Sequence, residues 1–142
     1  MKKIILLMAL TLSGCATTDM VYNPNGMNEQ KLVKVETLRE ASAFSFSAKY
    51  NAYIMYVYNE KNEEVTKRNA LFSNKISEIK LQPGKYLFKV ECKSRNYYAD
   101  TEGKFELLPS KKYQLYCDIK KGKNIFGGSA DASVSLKIRE IK

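Results

Sequence analysis

The residue types that most often perform chemistry are scarce in this chain. Its 142 residues include no His, so the commonest acid or base near neutral pH and the imidazole metal ligand are both missing. Four aspartates are present: Asp19, Asp100, Asp118 and Asp131. They are too scattered to predict a paired catalytic or metal site, and no spacing joins a Ser or Lys nucleophile to a base. We therefore expect no catalytic residues, no metal site and a protein that is not an enzyme.

The first 15 residues have the pattern of an export signal. Lys2 and Lys3 form a cationic start, and the apolar run 4–12 is far shorter than the roughly 20 residues of a transmembrane helix. The run ends in Leu-Ser-Gly-Cys at 12–15, which resembles the lipobox of bacterial lipoproteins. This resemblance implies that residues 1–14 are removed as a lipoprotein signal peptide. It also implies that Cys15 carries a covalent lipid (palmitate), with no other cofactor expected. The alternative is an ordinary signal with an incidental cysteine.

Ala16 bears on the destination of the protein. By the same resemblance, an aspartate after the lipidated cysteine would retain a lipoprotein in the inner membrane. Ala16 therefore implies sorting to the outer membrane, where we expect a lipid-anchored domain that faces the periplasm. Acyl chains on Cys15 would anchor the protein at about 0.8 kcal/mol per buried methylene.

The two other cysteines, Cys92 and Cys117, are predicted to form a disulfide. An exported chain meets oxidising conditions. Each cysteine also falls on the apolar set of its own predicted strand, so both side chains should point into the same core. A catalytic dithiol is not expected, because there is no Cys-x-x-Cys spacing.

The chain is basic, with a formal net charge of +9 that stays positive without Lys2 and Lys3. This charge favours contact with an anionic envelope polymer or an acidic envelope protein. Its lysines are dispersed, so a solvated surface is the alternative, and we expect no nucleic-acid partner.

A predicted loop after Cys92 contains Arg95, Tyr97 and Tyr98, where aromatic rings and a cation could form a binding surface. Alternatively, one ring only covers the end of the domain.

Alternating apolar and polar residues predict strands at 31–37, 50–58, 79–81, 86–92, 104–108, 113–119 and 132–138. Residues 50–58 have apolar side chains on both alternating sets, which predicts a central strand covered on both faces. A Pro-Gly turn at 82–85 predicts a hairpin over 79–92. The glycine-containing loop 122–131 lacks the Gly-Lys-Ser/Thr ending of a phosphate-binding loop and is predicted to be a hairpin connection. Residues 38–47 fit a short helix or a strand.

Together these signals predict an all-β fold, an antiparallel β-sandwich of about seven or eight strands over 31–142. It would follow a signal helix at 1–14 and a flexible tether at 15–30. Residues 79–90, with the sequence IKLQPGKYLFKV, resemble the Leu-x-Pro-Gly-x-Tyr hairpin of PEGA-like and transthyretin-like bacterial domains. The resemblance spans roughly residues 50–119 and implies a sandwich module without functional residues that carry over.

The sequence therefore predicts a noncatalytic module that is anchored to the membrane and binds or scaffolds something in the cell envelope. One alternative is an accessory outer-membrane lipoprotein of a secretion or pilus apparatus, similar in design to the type VI secretion lipoprotein. Another alternative, from a different class, is an envelope hydrolase with an unrecognised site.

Overall fold

The fold is known from a computed structural model that describes residues 20–39, 50–66, 75–94, 98–123 and 129–142. Eight strands follow one another along these ranges: β1 Met20–Tyr22, β2 Val33–Thr37, β3 Asn51–Tyr58, β4 Glu78–Leu81, β5 Gly84–Lys93, β6 Tyr98–Leu107, β7 Lys112–Lys123 and β8 Ser129–Ile141. A single 3₁₀ turn, Glu29–Lys31, precedes β2. The signal at 1–14, Cys15, Arg95, Tyr97 and most of 38–47 lie outside the described residues.

The strands form two sheets. One has five strands in the order β1-β4-β2-β7-β8, and the other has three in the order β3-β5-β6. The predicted sandwich of about eight strands is confirmed. It is not purely antiparallel, because β1 runs parallel to β4 and β2 runs parallel to β7.

The core lies between the two sheets and follows the two-residue alternation of the strands. The five-stranded sheet contributes Val33, Val35 and Leu115, and the three-stranded sheet contributes Ile54 and Phe88, all with side chains fully removed from solvent. Each such side chain contributes roughly 1.5–3 kcal/mol relative to exposure.

The Pro-Gly turn joins the two sheets instead of forming a hairpin. β4 pairs with β1 and β2, whereas β5 pairs with β3 and β6. Gly84 has φ +153°, which side chains rarely permit. The predicted hairpin over 79–92 is therefore wrong, because the chain crosses the sandwich at Gln82 and Pro83. The predicted inner face of β5 is confirmed, since Tyr86, Phe88 and Val90 are buried.

β3 lies at the edge of its sheet, with β5 in the centre. Outside the named strands, β3 gains only isolated bridges, which join Asn51 to Arg39, Ile54 to Ile76 and Tyr58 to Glu64 among the described residues. The expectation of a central strand covered on both faces is thus wrong. Apolar residues occur on both alternating sets of β3 because a β-bulge, described below, changes which side chains share a face.

The described part of the expected tether, residues 20–30, lies on the domain. β1 pairs with β4 in the register Met20–Ile79 and Tyr22–Leu81. Asn23 Oδ1 accepts a hydrogen bond from Gln82 Nε2 at 2.8 Å, and Asn25 Nδ2 donates to Gln82 Oε1 at 3.1 Å. We call these two hydrogen bonds the Gln82 clasp. Together with the pairing of β1 and β4, they make the chain from Met20 onward part of the folded unit, whereas the sequence predicted that the domain begins at Lys31.

Two predicted loops are shorter than expected. β6 begins at Tyr98, not at residue 104, and pairs with β5 up to Lys93. β7 and β8 pair as far as Lys123 and Ser129, so strand structure extends into the predicted loop 122–131. The predicted hairpin connection between these two strands is confirmed.

Candidate functional site

Three tyrosines of β3 lie on the outer face of the three-stranded sheet. Simple alternation would place Tyr53 and Tyr56 on opposite faces, because they are three residues apart. The register of β3 against β5 shifts between Ile54 and Tyr56. This bulge inserts one extra residue, Met55, and thereby brings Tyr56 and Tyr58 to the face that Tyr53 occupies. We call the outer face of the three-stranded sheet, which carries Tyr53, Tyr56 and Tyr58, the tyrosine face.

Alternating burial along β3 supports this assignment. Ala52, Ile54 and Val57 are completely buried, whereas the side chain of Tyr56 is 38% exposed and those of Tyr53 and Tyr58 are half-buried. The apolar residues thus fill the core, and the aromatic rings remain at the surface.

Cations lie over two of the three rings. Lys75 Nζ lies 4.9 Å and Arg39 Cζ lies 5.2 Å from the centroid of the Tyr53 ring. Lys89 Nζ lies 5.4 Å from the centroid of Tyr58, and the Tyr56 and Tyr58 centroids are 6.4 Å apart. Cation–π contacts of this length contribute about 0.5–1 kcal/mol at exposed sites. These contacts stabilise the rings of Tyr53 and Tyr58 at the surface of the sheet.

Two shallow cavities lie along β5 and β6 beside the tyrosines. One of about 410 Å³ is bordered by Tyr56, Lys89 and Glu102, which are cross-strand neighbours in the register of the sheet. The other, of about 530 Å³, lies towards the turn after β3 and is bordered by Asn59, Leu87 and Lys104 among others. The face thus offers aromatic, cationic and acidic groups around concave surface.

The binding surface predicted from sequence is only partly described. Tyr98 is the first residue of β6, opposite Lys93, and its side chain is 76% exposed. Arg95 and Tyr97 lie outside the described residues. Tyr98 belongs to the same outer face as Tyr53 and lies two residues from Asp100 along the strand, so it extends the tyrosine face at one end.

The disulfide between Cys92 and Cys117 is present. It joins β5 in the three-stranded sheet to β7 in the five-stranded sheet, with the two Cα atoms 6.1 Å apart. Cys92 is fully buried and Cys117 packs against the core. The bond therefore connects the two sheets of the sandwich and supports the tyrosine face from behind.

Among the described residues, two side chains have raised pKa values. Burial, reinforced by the electrostatic effects of Tyr22 and Glu60, raises the pKa of Tyr86 to about 12. Its hydroxyl donates a hydrogen bond to the Gln82 carbonyl at 2.9 Å, so its role is in the core. A hydrogen bond to Glu140 raises the pKa of the exposed Lys111. Neither group lies on the tyrosine face.

The described ranges contain no group of three or more Cys, Asp or Glu side chains that could hold a metal ion. Within those same ranges, no helix has the length and apolar character needed to cross a bilayer. No family model, curated protein or solved structure matches the chain.

Sequence reasoning missed the tyrosine face. The available signal was the number of tyrosines, 10 in the chain, three of which fall within 53–58. The bulge at Met55 was not visible in the sequence, and without it the three rings do not share a face.

Proposed function

We propose that this chain is a lipid-anchored, noncatalytic module of the cell envelope that binds a partner protein on its tyrosine face. The observation that carries the proposal is the exposed Tyr56, which lies beside Lys89 and Glu102 at the edge of a cavity. Tyrosines supply large, rigid and amphipathic contact area with little loss of side-chain entropy, and they are enriched at protein interfaces.

The charge of this face favours a protein over an anionic polymer. Lys89 lies opposite Glu102, and Lys85 lies opposite Glu106. A uniformly anionic polymer would meet these carboxylates as well as the lysines and would be repelled by them. A protein surface of mixed charge can complement both the lysines and the carboxylates.

The anchor is proposed from the resemblance of residues 12–15 to a lipobox, with Cys15 as the lipidated residue and Ala16 directing the protein to the outer membrane. The domain would then present its partner surface to the periplasm, as a scaffold.

The test is purification of the full-length protein from membranes after chemical crosslinking in intact cells. Three forms are compared: the wild type, Tyr56→Ala with Lys89→Ala, and Tyr116→Ala with Lys137→Ala. The last pair is a matched control, because Tyr116 and Lys137 are also cross-strand neighbours but belong to the five-stranded sheet. We expect the first double variant to lower partner recovery about tenfold or more, since an aromatic hot spot contributes about 2 kcal/mol. The control should retain its partner.

Two results would overturn parts of the proposal separately. Equal loss in both double variants, or recovery of a glycan or lipopolysaccharide without protein, would exclude the tyrosine face as a protein-binding surface. An N-terminal peptide whose mass shows Cys15 without acyl chains would exclude the anchor. A secretion or pilus component in the crosslinked fraction would specify the partner and leave the site unchanged.

A further inference from the structure

The outer face of the five-stranded sheet, opposite the tyrosine face, is enriched in basic side chains. The strand registers place six of them there: Lys34, Lys80, Lys112, Lys120, Lys137 and Arg139. Among the described side chains, three acidic ones share this surface: Glu36, Glu78 and Asp118. We call it the basic face.

Some of these charges are already paired. Lys34 Nζ lies 2.8 Å from Glu78 and 4.0 Å from Glu36. Arg139 donates a hydrogen bond to the neutral side chain of Gln114 at 3.0 Å, which leaves its charge in place. Among the described residues, no salt bridge joins an acidic side chain to the remaining lysines, which are Lys80, Lys112, Lys120 and Lys137.

Cross-strand register explains why the two outer faces differ. On the basic face, Lys112 lies opposite Ile141 and Lys120 lies opposite Ser133. Lys80 lies between Lys34 and Val21. On the tyrosine face the strands themselves present equal numbers of both signs, with lysines opposite acids at two positions. Lys75 and Arg39 add cations only at its Tyr53 corner. The described strands of the basic face therefore carry more basic than acidic side chains, whereas those of the tyrosine face carry equal numbers of both.

The proposed lipid attachment is close to this face. β1 is the edge strand of the five-stranded sheet, and Val21 lies beside Lys80 on its outer side. Four residues separate Cys15 from Met20, so even a fully extended chain spans no more than about 18 Å. Because β1 pairs with β4 and is followed by the Gln82 clasp, this short reach starts from a fixed point on the domain.

We propose that the basic face lies against a bilayer surface of anionic lipid headgroups. This inference rests on the proposed lipidation of Cys15, which would hold the sheet within reach of the bilayer. Each basic side chain near an anionic surface adds attraction. The occupant is a lipid surface because β1, the first strand after Cys15, belongs to the same sheet. The tyrosine face then points away from the membrane and is open to a partner.

The test is a lysine footprint of the full-length acylated protein in two kinds of vesicle. One contains phosphatidylcholine with phosphatidylglycerol, and the other contains phosphatidylcholine alone. A soluble amine-reactive reagent labels the lysines, and mass spectrometry reads each position. Lys80, Lys112 and Lys137 report on the basic face, and Lys85, Lys93 and Lys104 are matched controls on the tyrosine face.

We expect anionic vesicles to slow labelling of the three basic-face lysines about fivefold, the factor that corresponds to about 1 kcal/mol per basic residue. The three control lysines should be labelled at the same rate in both vesicles. Added salt should remove the protection, because it screens exposed charges. A variant that combines Lys80→Glu, Lys112→Glu and Lys137→Glu should lose protection at Lys120. A control variant that combines Lys85→Glu, Lys93→Glu and Lys104→Glu should keep it.

Labelling of the basic-face lysines at the same rate in both kinds of vesicle, or protection of the tyrosine-face lysines, would overturn this inference. The mass of the N-terminal peptide is read in the same experiment. Acylated Cys15 with unprotected lysines therefore rejects the orientation alone, whereas unmodified Cys15 in protein that does not float with vesicles rejects the anchor on which it rests.

Discussion

Tyr86 connects the buried face of β5 to the point where the chain crosses between sheets. Its ring is buried and its hydroxyl donates to the Gln82 carbonyl. Gln82 also holds Asn23 and Asn25 through its side chain. A single phenol therefore stabilises the residue on which the N-terminal segment depends.

The raised pKa of Tyr86 predicts a loss of stability at high pH. The pKa of Tyr86 is about 12 in the folded protein and about 10 when unfolded. The contribution of the neutral phenol to the free energy of unfolding is therefore complete below pH 10. Above that pH the unfolded phenol ionises while the folded one stays neutral, so the free energy of unfolding falls. The total fall up to about pH 12 should be on the order of 2 kcal/mol. Urea denaturation across this range measures it.

Tyr86→Phe is the control for this prediction. It should lower the free energy of unfolding by about 1 kcal/mol near neutral pH, since one hydrogen bond is lost. The deficit relative to the wild type should shrink above pH 10 and then reverse, because Phe does not ionise. A constant difference between the two proteins over the whole range would show that Tyr86 is not the titrating group.

At this scale the disulfide was predictable and the tyrosine face was not. Cys92 and Cys117 each continue an unbroken alternation of apolar residues, so their inward direction follows from strand geometry. Tyr56 and Tyr58 follow a bulge, and one inserted residue reverses the direction of every later side chain in the strand.

At the scale of the elements, the disulfide joins the two sheets through β5 and β7. The cross-linked segment has a sequence separation of 25 residues, for which chain entropy corresponds to about 3–4 kcal/mol. We predict that Cys92→Ala with Cys117→Ala lowers the free energy of unfolding by about this amount in urea denaturation. An unchanged midpoint, or intact protein that gains no mass on reduction, would contradict the prediction.

The Gln82 clasp should hold β1 in place. Gln82→Ala removes the two hydrogen bonds of the clasp, one with Asn23 and one with Asn25, and we predict that the free energy of unfolding falls by about 1–2 kcal/mol. Amide hydrogen exchange should accelerate at Met20–Tyr22 and remain slow in β2. Gln114→Ala is the matched control, because Gln114 lies on the surface of the same sheet. Unchanged exchange in β1 would mean that strand pairing with β4 suffices.

Strand identity was predictable from alternation, whereas strand pairing was not. The inner faces of β5 and β7 are readable because each places an apolar residue at every second position. The Pro-Gly turn between Leu81 and Gly84 has the composition of a hairpin turn. Whether a turn returns along one sheet or crosses to the other depends on contacts with distant strands such as β1 and β2, which local sequence does not report.

For the whole molecule, the two outer faces differ in their aromatic and charged side chains. The five-stranded sheet carries the basic face and the edge strand nearest Cys15, and the three-stranded sheet carries the tyrosine face. In the proposed arrangement one sheet rests on lipid and the other receives a protein. The disulfide and the shared core join the two sheets that carry these faces.

The most direct test of the central proposal is site-specific photocrosslinking in intact cells. A photoreactive phenylalanine analogue replaces Tyr56 in one strain and Tyr116 in another, and both full-length proteins are extracted from membranes. The account predicts a protein adduct from position 56 and none from position 116. A protein adduct from position 116 alone, or from neither position, would contradict the assignment of the tyrosine face as the partner surface.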